Sequence, residues 1–304
     1  MSVRTETVSR LASWRRSGGV RQTAADIVAR GSRNRMVVIG FAIIVLMVAL
    51  ALLAPILPLP NPTYMPPGTA TDLLPPSFQH PFGTDEHGRD VLSRVIWGAR
   101  VSLLVGTLAV LVSMTIGVLL GLTAGYFGGK VDYLIAGTID LFWTFPAFLL
   151  ALALAAALGA SLTNVILAIS ISYWAGFARL IRGQALAVRE RSFVEASRAL
   201  GATNRRLMFT HVLPNCLAPL IVWASIGVAD AITIESSLSF LGVGTQPPTP
   251  SWGYMLQAGI IYIEEAPWIT TFAGITMVFT ILGFNLLGDG LRDVLDPRMK
   301  GLRR

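Results

Sequence analysis

Six stretches of this chain are too apolar to be stable in water and long enough to cross a bilayer: Met36–Leu57, Val101–Ala124, Leu134–Leu158, Leu162–Phe177, Leu213–Ile234 and Trp268–Leu287. A helical span takes about 20 residues, with a range of about 17–25. The fourth stretch falls short of this and is expected to run on to Leu180. Lipid offers no partners to backbone N–H and C=O groups, so only helices or closed barrels cross it. The stretches lack strand alternation, so all six read as helices. Only 13% of the 304 residues are charged, against about 25% in a soluble domain. The expected fold class is therefore an all-α integral membrane protein with six transmembrane helices.

The arginines give the orientation. Eight lie in residues 1–35 and seven in 178–212, and five Lys or Arg lie in 288–304, with Lys130 in the turn between spans two and three. The intervening segments on the other side hold Arg89, Arg94 and Arg100. Basic residues collect on the cytoplasmic side, so both termini and the 178–212 loop are expected there. The net charge of +7 then reflects topology, and nucleic acid is not expected as a partner. The organisation reads as a cytoplasmic tail (1–35), a first span (36–57), an extracytoplasmic Pro-rich segment with an interfacial helix (58–97), a five-span core (98–289) and a cytoplasmic tail (290–304). Thr23 to Arg30 has the spacing of a short surface helix, with a plain tail ending in a positive anchor as the alternative. Ala49-Leu50-Ala51 resembles a signal-cleavage site, but 35 residues precede the apolar run, so the span is expected to be retained.

Between the fourth and fifth spans the chain turns polar. Ser192-x-x-Glu195 has the form of a capping box, and Gly201 supplies a left-handed stop. The enclosed helix, 193–200, is about 12 Å long and too short to be stable alone. Phe193, Ala196, Ala199 and Leu200 form an apolar stripe, with Arg191, Glu195 and Arg198 beside it. Such a peg suits a groove on another protein, or else lies on its own bundle or on lipid. Other chemistry is sparse. No His-Glu-x-x-His occurs, and the histidines at 80, 87 and 211 are scattered. Cys216 stands alone, and Gly129-Lys130 lacks the glycine and hydroxyl of a phosphate-binding loop. Any ATP hydrolysis therefore belongs to another chain. Asp140 falls inside span three, and Asp230 and Glu235 lie near the outer end of span five, where a carboxylate needs a partner or water. They are candidates for a translocation path or for helix–helix hydrogen bonds. Thr84-Asp85-Glu86 reads as a helix start, Pro146 as a kink in span three, Gly117-x-x-x-Gly121-x-x-x-Gly125 as a close-packing face, and Ser236 to Pro267 as a re-entrant or interfacial segment.

Glu195-Ala196-Ser197, three residues, Gly201, and then Leu213-Pro214 at the right distance resemble the cytoplasmic coupling motif of ATP-binding-cassette importer permeases. The family pattern has Ala where Ser197 stands and Ile where His211 stands. His80-Pro81-Phe82-Gly83-Thr84-Asp85 with Gly88-Arg89-Asp90 is similar to the second (C-type) permease subunit of dipeptide, oligopeptide and nickel importers. So are Glu235-Ser236-Ser237-Leu238-Ser239-Phe240-Leu241-Gly242, Gln246 to Gly253, and Gly288-Asp289-Gly290 with Asp296-Pro297-Arg298. The resemblance implies a type I importer permease fold in a bacterial or archaeal cell (inner) membrane. It implies a heterodimer with a homologous six-helix permease, cytoplasmic ATPase subunits that carry ATP and Mg, and an extracytoplasmic substrate-binding protein. This chain itself would bind no cofactor and catalyse nothing. ATPase coupling is implied for Arg191, Ser192, Phe193, Glu195, Ala196, Ser197, Arg198, Leu200, Gly201, Leu213 and Pro214. Peptides are the substrate implied first, with nickel, haem, glutathione or another small solute as the alternative.

Overall fold

A computed structural model describes residues 24–65 and 73–295. Most of the N-terminal tail, the prolines at 66 and 67 and the Asp296-Pro297-Arg298 motif lie outside the described residues. Among those described, the chain is helical, with a single β-bridge between Thr84 and Asp90. Five helices are long and apolar enough to cross a membrane, or six if one bent pair is a single span.

Helix α1 (Ala24–Gly31) precedes α2 (Arg35–Leu53), where Asn34 caps the start by accepting from the Met36 and Val37 amides. Helix α3 (Val91–Phe127) runs unbroken for 37 residues. The expected helix start at Thr84 is therefore corrected to Val91, and the helix leads without a break into the second span. Asp85 instead closes a tight loop, its Oδ1 accepting from the His87 and Arg89 amides at 2.9 and 3.0 Å. The true cap is Asp90, which accepts from the Ser93 amide at 2.7 Å. Arg89 and Arg94 are buried, and both pair with Asp85, at 2.7 and 3.1 Å. Arg94 also donates to the Pro62 carbonyl at 3.0 Å, which straps the Pro-rich segment onto α3.

The expected kink at Pro146 is a full break. Helices α4 (Gly129–Trp143) and α5 (Ala147–Leu158) meet at 84°. Proline lacks the N–H needed to continue α4 and restricts the residue before it, so Pro146 ends one helix and caps the next. Helix α6 (Leu162–Arg189) is far longer than the marginal span read from the sequence. Its last three turns hold Arg179, Arg182 and Arg189, which belong to this rod and not to a loop beginning at 178. Arg182 is matched by Asp132 of α4 at 2.8 Å, and Arg179 pairs with Asp140.

The glycine face does what its spacing predicts. A Cβ at Gly117 would lie 2.8 Å from the Trp174 carbonyl, and one at Gly125 2.6 Å from the Arg182 carbonyl. The α3 and α6 backbones therefore touch, and they form the largest helix–helix contact in the fold. Helix α7 (Ser192–Ala199) follows, and then α8, a rod from Asn204 to Phe240 with a π turn at Leu207–Val212 after its first three residues. Helix α9 (Trp252–Ile260) lies within the stretch from Ser236 to Pro267, where the sequence suggests a loop and no helix. Its Trp252 is wholly buried and donates to the Val95 carbonyl at 3.0 Å. Helix α10 (Pro267–Leu295) packs back against α2.

Candidate coupling site

Helix α7 lies between two long helices. Arg191 is its N-cap, and the Arg191 carbonyl accepts from the Val194 amide at 2.9 Å. This sets the helix one residue earlier than expected, so Ser192 is its first helical residue and no side chain caps it. The capping box between Ser192 and Glu195 is thus corrected: the register puts neither side chain at the required position. The other end follows the expectation. Gly201 adopts φ +84°, its amide donates to the Arg198 carbonyl at 2.9 Å, and the Ala202 amide donates to Ser197 at 3.1 Å. These two bonds make a Schellman stop.

The inner face of α7 rests on one residue that the sequence reading missed. Val194 has no exposed surface and joins a cluster with Val188 of α6 and Leu207, Met208 and Val212 of the π turn. Burying such a side chain contributes about 1.5–3 kcal/mol, which a two-turn helix needs to stay seated. In an isolated helix this short, with apolar residues on both faces, nothing in the pattern ranks Val194 above Phe193. The rim is tied as well. The Arg198 guanidinium lies 5.9 Å from the Tyr126 ring centroid, Tyr126 Oη donates to Asn204 Oδ1 at 2.8 Å, and Arg189 donates to the Tyr126 carbonyl at 3.1 Å. Three long helices therefore converge on α7.

The outer face is free. Arg191, Ser192, Phe193, Glu195, Ala196, Arg198, Ala199 and Leu200 are exposed, Leu200 at 89%. Ser197 is partly covered and donates to the Phe193 carbonyl at 2.8 Å, so its hydroxyl is satisfied within the helix. The result is an apolar, small-centred surface on a firmly rooted peg. Leu213 and Pro214 belong to α8. They lie inside the α8 rod, just after the π turn, where the Leu213 amide reaches back to Met208. Pro214 would crowd the carbonyl four residues before it in a regular helix, and the wider turn relieves this. His211, which stands where the motif has Ile, is part of that π turn and only partly buried.

The acids in the spans have distinct settings. Asp140 is exposed and pairs with Arg179, whose guanidinium also lies 4.8 Å from the Trp143 ring centroid. Glu235 is wholly buried and accepts from Ser102 at 3.0 Å and Ser239 at 2.9 Å, with Ser236 and Thr245 at 3.4 Å. It sits within the packing of this chain, facing hydroxyls rather than an open space. Asp85, Glu86 and His87 bring ligand-type atoms within 4.8 Å of one another, but Arg89 already donates to both carboxylates.

Comparison with known proteins gives the family. The profile of the binding-protein-dependent transport system inner membrane component matches residues 117–301, and that of the N-terminal TM domain of oligopeptide transport permease C matches 24–76. The dipeptide transport system permease protein DppC of Alkalihalophilus pseudofirmus is 43% identical over 268 residues, 88% of each chain. A putative peptide transport system permease protein of Brucella abortus is 42% identical over 271 residues, 88% of this chain and 90% of its own. The glutathione transport system permease protein GsiD of Escherichia coli is 44% identical over 226 residues, 74% of this chain and 75% of its own. A peg rooted in three long membrane helices, in a chain matched over most of its length, identifies a member of the binding-protein-dependent transport system inner membrane component family, of the C-type peptide permease kind.

Proposed function

We propose that this chain forms half of the translocation path of an ATP-driven importer for short peptides. Its six spans, with the α4–α5 pair counted as one, would leave both termini in the cytoplasm of a bacterial or archaeal cell. A homologous permease completes the path, an extracytoplasmic binding protein delivers substrate, and ATPase subunits bearing ATP and Mg dock beneath. The observation that carries this reading is the outward apolar face of α7 on a buried Val194 root. A groove on the ATPase would hold Phe193 and Leu200, with Ala196 and Ser197 permitting close approach and Arg191, Glu195 and Arg198 forming the rim.

Closure of the ATPases would push α7 sideways. Because Val194 is packed against α6 and the π turn of α8, the push passes to the rods rather than bending a loop. The α3–α6 contact through Gly117, Gly121 and Gly125 then makes the helices move as one body. The alternative substrate within the same mechanism is glutathione, itself a small peptide, favoured by the relative of that name. Reconstitution of the full assembly in vesicles tests the proposal. Uptake of labelled dipeptide that requires ATP and persists without an ion gradient is expected. Uptake on an ion gradient alone would mark a secondary carrier, and no uptake a scaffold.

A further inference from the structure

Asp132 and Asp140 have arginine partners and Glu235 has hydroxyls, but Asp230 on α8 has no hydrogen-bond or ion-pair partner among the described residues. It lines a cleft of about 290 Å³ where the α4–α5 break faces α6 and α8. The walls are aromatic: Trp143 and Phe145 at the break, Tyr173 of α6 and Trp223 of α8. Gly176 forms part of the floor, where a Cβ would sit 3.2 Å from Trp143 and 3.8 Å from the Trp223 indole nitrogen. Asp230 lies ten residues before Phe240, about 15 Å along the rod. Tyr173 lies eleven residues into α6, about 17 Å from its start. The Tyr173 hydroxyl and the Trp223 indole N–H are also without hydrogen-bond partners among the described residues.

We propose that this cleft binds the α-ammonium group of a peptide during passage, with Asp230 as its counter-ion. Asp230 is exposed to the cleft, a carboxylate within a span faces a cation or water, and aromatic faces around it favour a cation. The α-ammonium is the one cation shared by free peptides whatever their side chains. The unpaired indole N–H and phenol hydroxyl stand ready for the peptide's carbonyl oxygens. Recognition here would be of the backbone terminus, which leaves side-chain selection to other surfaces. The inference rests on the peptide-importer reading and adds a site to it.

The test uses the whole transporter in nanodiscs, with Ala147→Cys at the cleft wall as reporter, since native Cys216 is buried. Dialanine is expected to slow maleimide labelling at least about fivefold by adding a charge-assisted hydrogen bond at Asp230. N-acetyldialanine, which lacks the ammonium, should not slow it. Asp230→Asn should abolish the protection, Asp230→Glu should keep part of it, and Gly176→Leu should abolish it by filling the floor. In vesicles, Asp230→Asn should lower kcat/KM for dialanine about tenfold, the scale of one charge-assisted pair, with ATP hydrolysis preserved. Equal protection by both probes, or full protection in Asp230→Asn, would overturn the proposal. So would failure of Asp230→Asn to assemble with its partner permease, which would make the acid an interface group. Protection by dialanine without its uptake would sink the importer reading and keep the cleft. Uptake without protection would do the reverse.

Discussion

Replacing Gly201 tests how far the seating of α7 governs coupling. Its φ of +84° is a left-handed conformation, and a Cβ added there would meet nothing within 4 Å. The penalty for a side chain is therefore backbone strain alone, about 1–2 kcal/mol for Ala, larger for branched Val and smaller for Asn. The forces that oppose it are of similar size. Val194 contributes about 1.5–3 kcal/mol by burial, and each of the two Schellman hydrogen bonds about 1 kcal/mol. An eight-residue helix adds little of its own. A loss of 1–2 kcal/mol reduces the ratio of seated to unseated helix by a factor of about 5–30. In vesicles holding the full transporter, the ratio of peptide imported to ATP hydrolysed should fall in the order Gly201, Asn, Ala, Val. The Val variant should lose about tenfold or more, while membrane insertion and ATP hydrolysis persist. Normal coupling in Gly201→Val would refute the reasoning, and so would equal loss of insertion across the series.

Other substitutions separate the roles of the remaining groups. Val194→Ala removes two buried methyl groups and should destabilise the seat by about 1–2.5 kcal/mol. Disulfide trapping between α7 and α8 should show the looser seat, together with reduced coupling. Gly121→Leu should block the α3–α6 contact, because Ala178 backbone atoms occupy the space, and detergent-solubilised protein should then lose its thermal unfolding transition. Glu235→Ala leaves the Ser102 and Ser239 hydroxyls without their acceptor and should cost about 1–3 kcal/mol for each group left unsatisfied, read as a lower melting temperature of the complex.

The spans were legible because lipid leaves a chain few options, and the glycine face was legible because its four-residue spacing survives any tertiary detail. Helix ends were harder. The arginines of α6 read as a loop because charge counts against a span, yet Asp132 and Asp140 of α4 supply partners that let the helix continue. Thr84 looked like a helix start because acids favour a first turn, but Asp85 was recruited by Arg89 and Arg94, which are distant in role though near in sequence. Break and kink are indistinguishable at Pro146 without knowing what α4 and α5 pack against. Within the site, the outward face and the Gly201 stop followed from local rules. The capping box failed on a one-residue shift, and Val194 was hidden because its partners, Leu207 and Val212, meet it only in three dimensions.

The most direct test of the account is a photo-crosslinking scan along α7 in the intact transporter. A photoreactive residue at Ala196, on the outward face, should crosslink to an ATPase subunit, and the yield should change when ATP is bound. The same residue at buried Val194 should crosslink only within this chain. Capture of lipid or of the partner permease at 196, with no ATPase adduct in either nucleotide state, would contradict the claim that this peg carries the force of ATP into the membrane.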